Sequence, residues 1–131
     1  MKPNTRKLGK LAIAFFAVIL LVTTAENIAH AALVASFTMS TSAPRVGRPV
    51  TFNGSKSVCD SLRGCSYTWQ WFWRSRDGVT HLGGQMGRTP ITTYTFDAFA
   101  ASKPFVIVTL TVAAGRVRRP SIASVAFRVL P

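Results

Sequence analysis

The amino-acid sequence predicts an all-β domain behind an N-terminal export signal. Past residue 31 no stretch repeats apolar residues at helical spacing, and short runs of β-branched and aromatic residues recur instead. Turn-forming Gly, Pro, Asn, Asp and Ser punctuate those runs every 10 to 15 residues or so, the rhythm of a sandwich or barrel.

The signal accounts for residues 1–31. Lys2, Arg6, Lys7 and Lys10 form a positive start, and Leu11 to Val22 follows as 12 uninterrupted apolar residues. That run fits the central region of a secretory signal and falls short of the roughly 20 residues that span a bilayer. Ala29-His30-Ala31 places small residues where signal peptidase needs them, so cleavage is expected before Ala32. No cysteine follows the apolar run closely, which argues against a lipid anchor, and the protein is expected to be secreted.

Residues 32–131 have the length of one domain with a modest core. Ten arginines and two lysines against Asp60, Asp77 and Asp97 leave a net charge of +9 in this part. Such an excess attracts nucleic acid, anionic cell-wall polymers, acidic polysaccharides and lipid headgroups alike, because long-range attraction reads charge and not identity. An arginine-biased composition with no selected partner gives the same number. The cysteines, Cys59 and Cys65, both lie in the exported part, where thiols pair, and a disulfide between them is expected. A metal or catalytic thiol pair needs further ligands, and His81 is the single histidine after residue 31.

Seven strands are expected in order. Leu33 to Met39 alternates into the first and ends in the turn-rich STSAPRVGRP; Pro49 to Asn53 is the second, with Val50 and Phe52 on one face. GSKSVCDSLRGC reads as a polar loop pinched by the disulfide. Tyr67 to Arg74 is the third strand, Asp77-Gly78 suits a tight turn with positive φ, and Val79 to Leu82 returns beside it. GGQMGRTP reads as a loop, Ile91 to Phe96 as a strand and DAFAASKP as a longer connection. Phe105 to Ala113 and Ser121 to Val129 close the series across the basic turn AGRVRRP. Seven short strands in about 100 residues is the count of an immunoglobulin-like two-sheet sandwich.

Several strings together resemble the polycystic kidney disease (PKD) repeat, an immunoglobulin-like module. ASFTMSTSAPRVGRPVTFNGSKS is similar to its opening strand, turn and V-G-x-P-V-T-F segment; CDSLRGCSYTW is similar to members with a disulfide before the Y-x-W strand; TTYTF and VTLTV resemble two further strands. The likeness runs over nearly all of Ala35 to Val129 and implies a PKD-like sandwich over 32–131, acting beside glycan-active or adhesive partners. The chain departs where the family continues W-D-F-G-D-G after Tyr-x-Trp. Here Trp69, Gln70, Trp71, Phe72, Trp73 and Arg74 occupy those positions, so the acidic and glycine roles of that motif do not carry over.

Along YTWQWFWRSRDG, alternation places Tyr67, Trp69, Trp71 and Trp73 on one face, and Thr68, Gln70, Phe72 and Arg74, with Arg76 before the turn, on the other. Burying each aromatic stabilises by at least about 1.5–3 kcal/mol, so Tyr67, Trp69 and Trp71 are expected in the core. Gln70, Phe72, Trp73, Arg74 and Arg76 are the candidate ligand-binding residues, since a ring flanked by guanidinium groups suits stacking on a sugar or base beside an anion. Phe72 under a loop, or as a scattered surface apolar residue, is the simpler alternative. Phe105 and Ile107 share the outward parity of a strand whose inward set is Val106, Val108, Leu110 and Val112; Phe99 is a candidate cover for them.

One histidine, three isolated aspartates and no glutamate after residue 31 assemble neither a paired carboxylate nor a nucleophile with its base, so neither catalysis nor a cofactor is expected. The leading expectation is an extracellular interaction module that binds a polysaccharide or a surface protein. Two others compete. One is a charge-driven binder of nucleic acid, anionic cell-wall polymer or membrane through Arg74, Arg76, Arg116, Arg118 and Arg119; the other is a structural subunit of a secreted assembly.

Overall fold

A computed structural model describes residues 32–115 and 119–131. The expected export signal and the cleavage site expected at its end, and Arg116 and Arg118 of the basic turn, lie outside these described residues. The described part is all-β, built from antiparallel sheets with a single helical turn at Ala98–Ala101.

The strands are β1 (Leu33–Val34), β2 (Thr38–Met39), β3 (Pro49–Asn53), β4 (Val58–Cys59), β5 (Ser66–Arg74), β6 (Thr80–Gly87), β7 (Ile91–Thr95), β8 (Val106–Ala113) and β9 (Ser121–Phe127). They form a pair β1-β4, a three-stranded sheet β2-β3-β7 and a four-stranded sheet β6-β5-β8-β9. The alternation that marks β3 and β8 in sequence is the alternation of burial: Val50 and Phe52 on one, and Val106, Val108, Leu110 and Val112 on the other, are fully buried.

Three segments differ from the sequence expectation. Leu33 to Met39 is not one strand: β1 pairs with β4 and β2 with β3, so the segment passes between two sheets at Ala35–Phe37. The polar loop before the disulfide contains β4, which β1 holds by antiparallel pairing. GGQMG, read as a loop for its glycines, is the second half of β6. It pairs with β5 through two register shifts, one beside Met86 and one beside Gly83, and each inserts an extra residue on the β6 side. Glycines weaken an isolated strand, but at a bulge they let the backbone approach its neighbour closely.

That approach is made to the tryptophans. The indole of Trp71 lies against the backbone of Gly83 and Gly84, where a Cβ on Gly83 would collide with the ring. The indole of Trp69 lies against Gly54, where a Cβ would stand 2.7 Å from Leu110 and 3.0 Å from Trp69 itself. Both indole N–H groups are satisfied: Trp69 Nε1 donates to the Thr89 carbonyl at 2.8 Å and Trp71 Nε1 to the Tyr94 hydroxyl at 3.0 Å. Phe52 of the three-stranded sheet meets Trp69 at 5.9 Å between ring centroids, and Phe96 meets Trp71 edge-on at 5.9 Å, so aromatic pairs join the two larger sheets across the core. Tyr67 is half-buried and packs on the edge of this cluster.

The disulfide between Cys59 and Cys65 is present and ties the end of β4 to the start of β5. Closing so short a loop stabilises by about 2 kcal/mol in the chain-entropy picture. Asn53, the first residue of an Asn-Gly-Ser triplet, accepts bonds from the Ser55 N–H and hydroxyl, turning the chain out of β3. The β5–β6 hairpin closes through Ser75 N–H to the Val79 carbonyl at 2.9 Å, with Gly78 alone at positive φ (86°), so three residues and not an Asp-Gly pair make the turn.

Replacing Gly83 by Ala is expected to force Trp71 off its seat and destabilise by about 1–3 kcal/mol, the range for overpacking a closed core. The same change at Gly47, where a Cβ meets nothing within 4 Å but φ is 73°, is expected to cost about 1 kcal/mol through backbone strain alone. Urea denaturation of the two variants checks the order.

Candidate functional site

The two faces of β5 have opposite fates. Trp69 and Trp71 point into the core, while Thr68, Gln70, Phe72 and Arg74 point away from it, on the outer side of the four-stranded sheet. Trp73 follows the inward parity but lies at the core's margin. It stacks on His81, the residue paired with it across the hairpin, at 4.2 Å between centroids and 15° between planes. Phe99, on the single helical turn, meets its edge at 5.9 Å. The Lys103 ammonium sits 4.1 Å from the centroids of both rings, a cation–π clamp worth about 0.5–1 kcal/mol where water still reaches it. The Asp97 carboxylate caps the helical turn, accepting from the Ala100 N–H at 3.0 Å, and so holds Phe99 in place.

The five candidate residues are therefore not brought together. Gln70, Phe72 and Arg74 share the outer face, Arg76 projects at the hairpin tip, and Trp73 is on the opposite side of the sheet, engaged by His81, Phe99 and Lys103. Phe99 covers Trp73 and does not cover Phe105, which is 58 % exposed. His81, besides its stacking, shares a hydrogen bond of 3.2 Å with the Ser75 hydroxyl.

Strand pairing defines what the outer face presents. Leu82, Phe72, Ile107 and Ala126 are aligned across β6, β5, β8 and β9 as one apolar row. Beside it runs a row of hydrogen-bonding side chains, Gln85, Gln70, Thr109 and Ser124. Leu82 is 56 % exposed at one end of the apolar row, whereas Phe72 and Ile107 are half-buried against their neighbours. Of these eight residues the sequence singled out Gln70, Phe72 and Ile107. Leu82 was legible as a strand residue but its row was not, because the turn takes three residues where an Asp-Gly pair was expected, and that shift of one residue sets Leu82 opposite Phe72 and not opposite Trp73.

A separate groove of about 570 Å³ opens between β2 and β9, lined chiefly by Phe37, Met39, Val125 and Phe127. Both strands are the edges of their sheets, and an isolated parallel bridge joins Arg45, after β2, to Leu130, after β9.

At the hairpin tip, the Asp77 carboxyl is held below its ordinary value of 3.8, chiefly by the hydrogen bond from the Ser75 hydroxyl and next by that from the Val79 N–H. A depressed folded value contributes order that is present above the unfolded pKa and lost as pH falls through the folded one. The carboxyl of Asp77 is thus expected to titrate below 3.8 by NMR, and Ser75→Ala to move the midpoint back up, with the turn loosening only on the acid side. No protein-family model matches the chain, and no curated protein matches it either.

Proposed function

We propose that this chain is a secreted, non-catalytic binding module of immunoglobulin-like, PKD-type build, which holds a polysaccharide on the outer face of its four-stranded sheet. The observation that carries the reading is that this face is closed on its core side and open on the other. Its core side is filled by Val106, Val108, Leu110 and the tryptophans, while Leu82 and Phe105 remain more than half exposed. A strand apolar on both faces calls for a partner on the second one.

The chemistry of the rows favours a sugar chain over a globular surface. The apolar row offers a flat strip to the C–H face of a pyranose ring, and the adjacent amides and hydroxyls of Gln85, Gln70, Thr109 and Ser124 can both donate to and accept from sugar hydroxyls. The passage of Leu33–Met39 between sheets, the aromatic core between the two larger sheets and the disulfide support the immunoglobulin-like, exported character of the module. A surface protein docking on the same rows is the alternative, and charge-specific binding alone would leave the apolar row without a purpose.

Phe72→Ala and Leu82→Ala are each expected to lower retention on insoluble polysaccharide by on the order of tenfold, about 1.4 kcal/mol, with little change in melting temperature. Trp73→Ala, in contrast, is expected to lower the melting temperature by several degrees, because it empties the space between His81, Phe99 and Lys103. Undiminished retention by the Phe72 and Leu82 variants would remove the outer face as the site.

A further inference from the structure

The outer face ends in a row of different character from the two described above. Trp73 is paired with Val106, and Val106 with Phe127, all three pointing inward. Phe105 and Arg128 stand one residue beyond the paired stretches; the register continued by that residue would set Arg74 opposite Phe105 and Phe105 opposite Arg128, on the outward side by strand alternation, and all three are exposed. In that register one aromatic side chain lies between two arginines, its neighbours one strand spacing away on either side, about 5 Å between backbones. The row borders the apolar row directly, since Phe72 and Arg74 are two apart on β5 and Phe105, just before β8, is two residues from Ile107.

We propose that the ligand of this face is an acidic polysaccharide, whose ring carboxylates pair with Arg74 and Arg128 while a sugar ring lies on Phe105. The inference rests on the outer-face reading above and narrows its substrate class. Charge complementarity carries it. The arginines are not answered by the acids nearest them in the chain, since Asp77 spends its carboxylate on Ser75 and Val79 and Asp97 spends its own on the Ala100 N–H. A guanidinium fork matches a carboxylate with two parallel hydrogen bonds, and exposed arginines unmatched at the surface retain that capacity. The spacing selects the polymer. Two cations separated by a ring suit charges carried one per sugar with uncharged ring faces between them. A phosphodiester chain instead needs cations along its whole track to release its counterions, and the apolar and hydrogen-bonding rows beside these arginines carry no charge.

The test uses protein expressed from the full chain and two polymers with the same rings, polygalacturonate and its fully methyl-esterified form, with inorganic polyphosphate as a third probe. Polygalacturonate is expected to bind at least tenfold more tightly than the ester. Arg74→Gln, Arg128→Gln and Phe105→Ala are each expected to weaken it about tenfold or more at unchanged melting temperature, and Phe105→Tyr to restore it. Equal affinity for acid and ester, abolished by Phe72→Ala, would overturn the acidic assignment and leave the outer face as a neutral-sugar site. Binding to polyphosphate as tight as to polygalacturonate, and indifferent to Phe105→Ala, would overturn it in favour of charge alone. Binding to no polymer, with Phe72→Ala equally without effect on any other polysaccharide tried, would remove the inference together with the reading beneath it.

Discussion

The structure depends on the seating of two indole rings on glycine backbone. Trp69 and Trp71 are too large to share the space between two sheets unless something across from them has no side chain, and Gly54, Gly83 and Gly84 supply that room. Seating alone would leave two polar N–H groups in an apolar interior. The Thr89 carbonyl and the Tyr94 hydroxyl accept them, and no buried side-chain polar atom among the described residues lacks a partner. Each tryptophan therefore ties its own sheet to a neighbouring segment through packing and a directional bond at once.

The same constraint shapes the edge of the four-stranded sheet. Bringing Gly83 under the Trp71 ring requires β6 to bulge, and a second bulge turns Met86 inward to complete the core. Bulges at an edge also discourage pairing with another chain. β9, at the other edge, carries none: its pairing with β8 runs without a shift from Ser121 to Phe127. The half formed by β5, β8 and β9 is where the rows of the outer face are straightest, and its register, continued past the last paired residues, is what would bring Arg74, Phe105 and Arg128 into line.

Function on this reading is a property of the face that folding leaves uncovered. Stability comes from the inward set, which explains why a chain so rich in aromatics can still spend Phe72 and Phe105 on the outside. The Lys103–Trp73–His81–Phe99 cluster sits at the boundary between the two roles. It closes the end of the core beneath the hairpin, using a cation and an imidazole where an aliphatic residue would serve if water were excluded.

Much of this was legible from residue order alone. Alternation in Tyr67–Trp73 and in Phe105–Val112 assigns the buried and outward sets, because side chains of a strand must take opposite sides whatever they pack against. The cysteine pairing was legible from there being two, six residues apart, behind a segment that reads as an export signal. What residue order could not reveal is relational. Leu33–Met39 alternates like one strand, and only the competing partners β3 and β4 divide it; GGQMG looks like a loop until an indole needs its bare backbone. Arg128 has no local feature that sets it apart from the other arginines, and it joins Arg74 only because β8 lies between β5 and β9. Local sterics dictate which way a side chain points, whereas its neighbours are chosen by long-range pairing, which no short window of sequence contains.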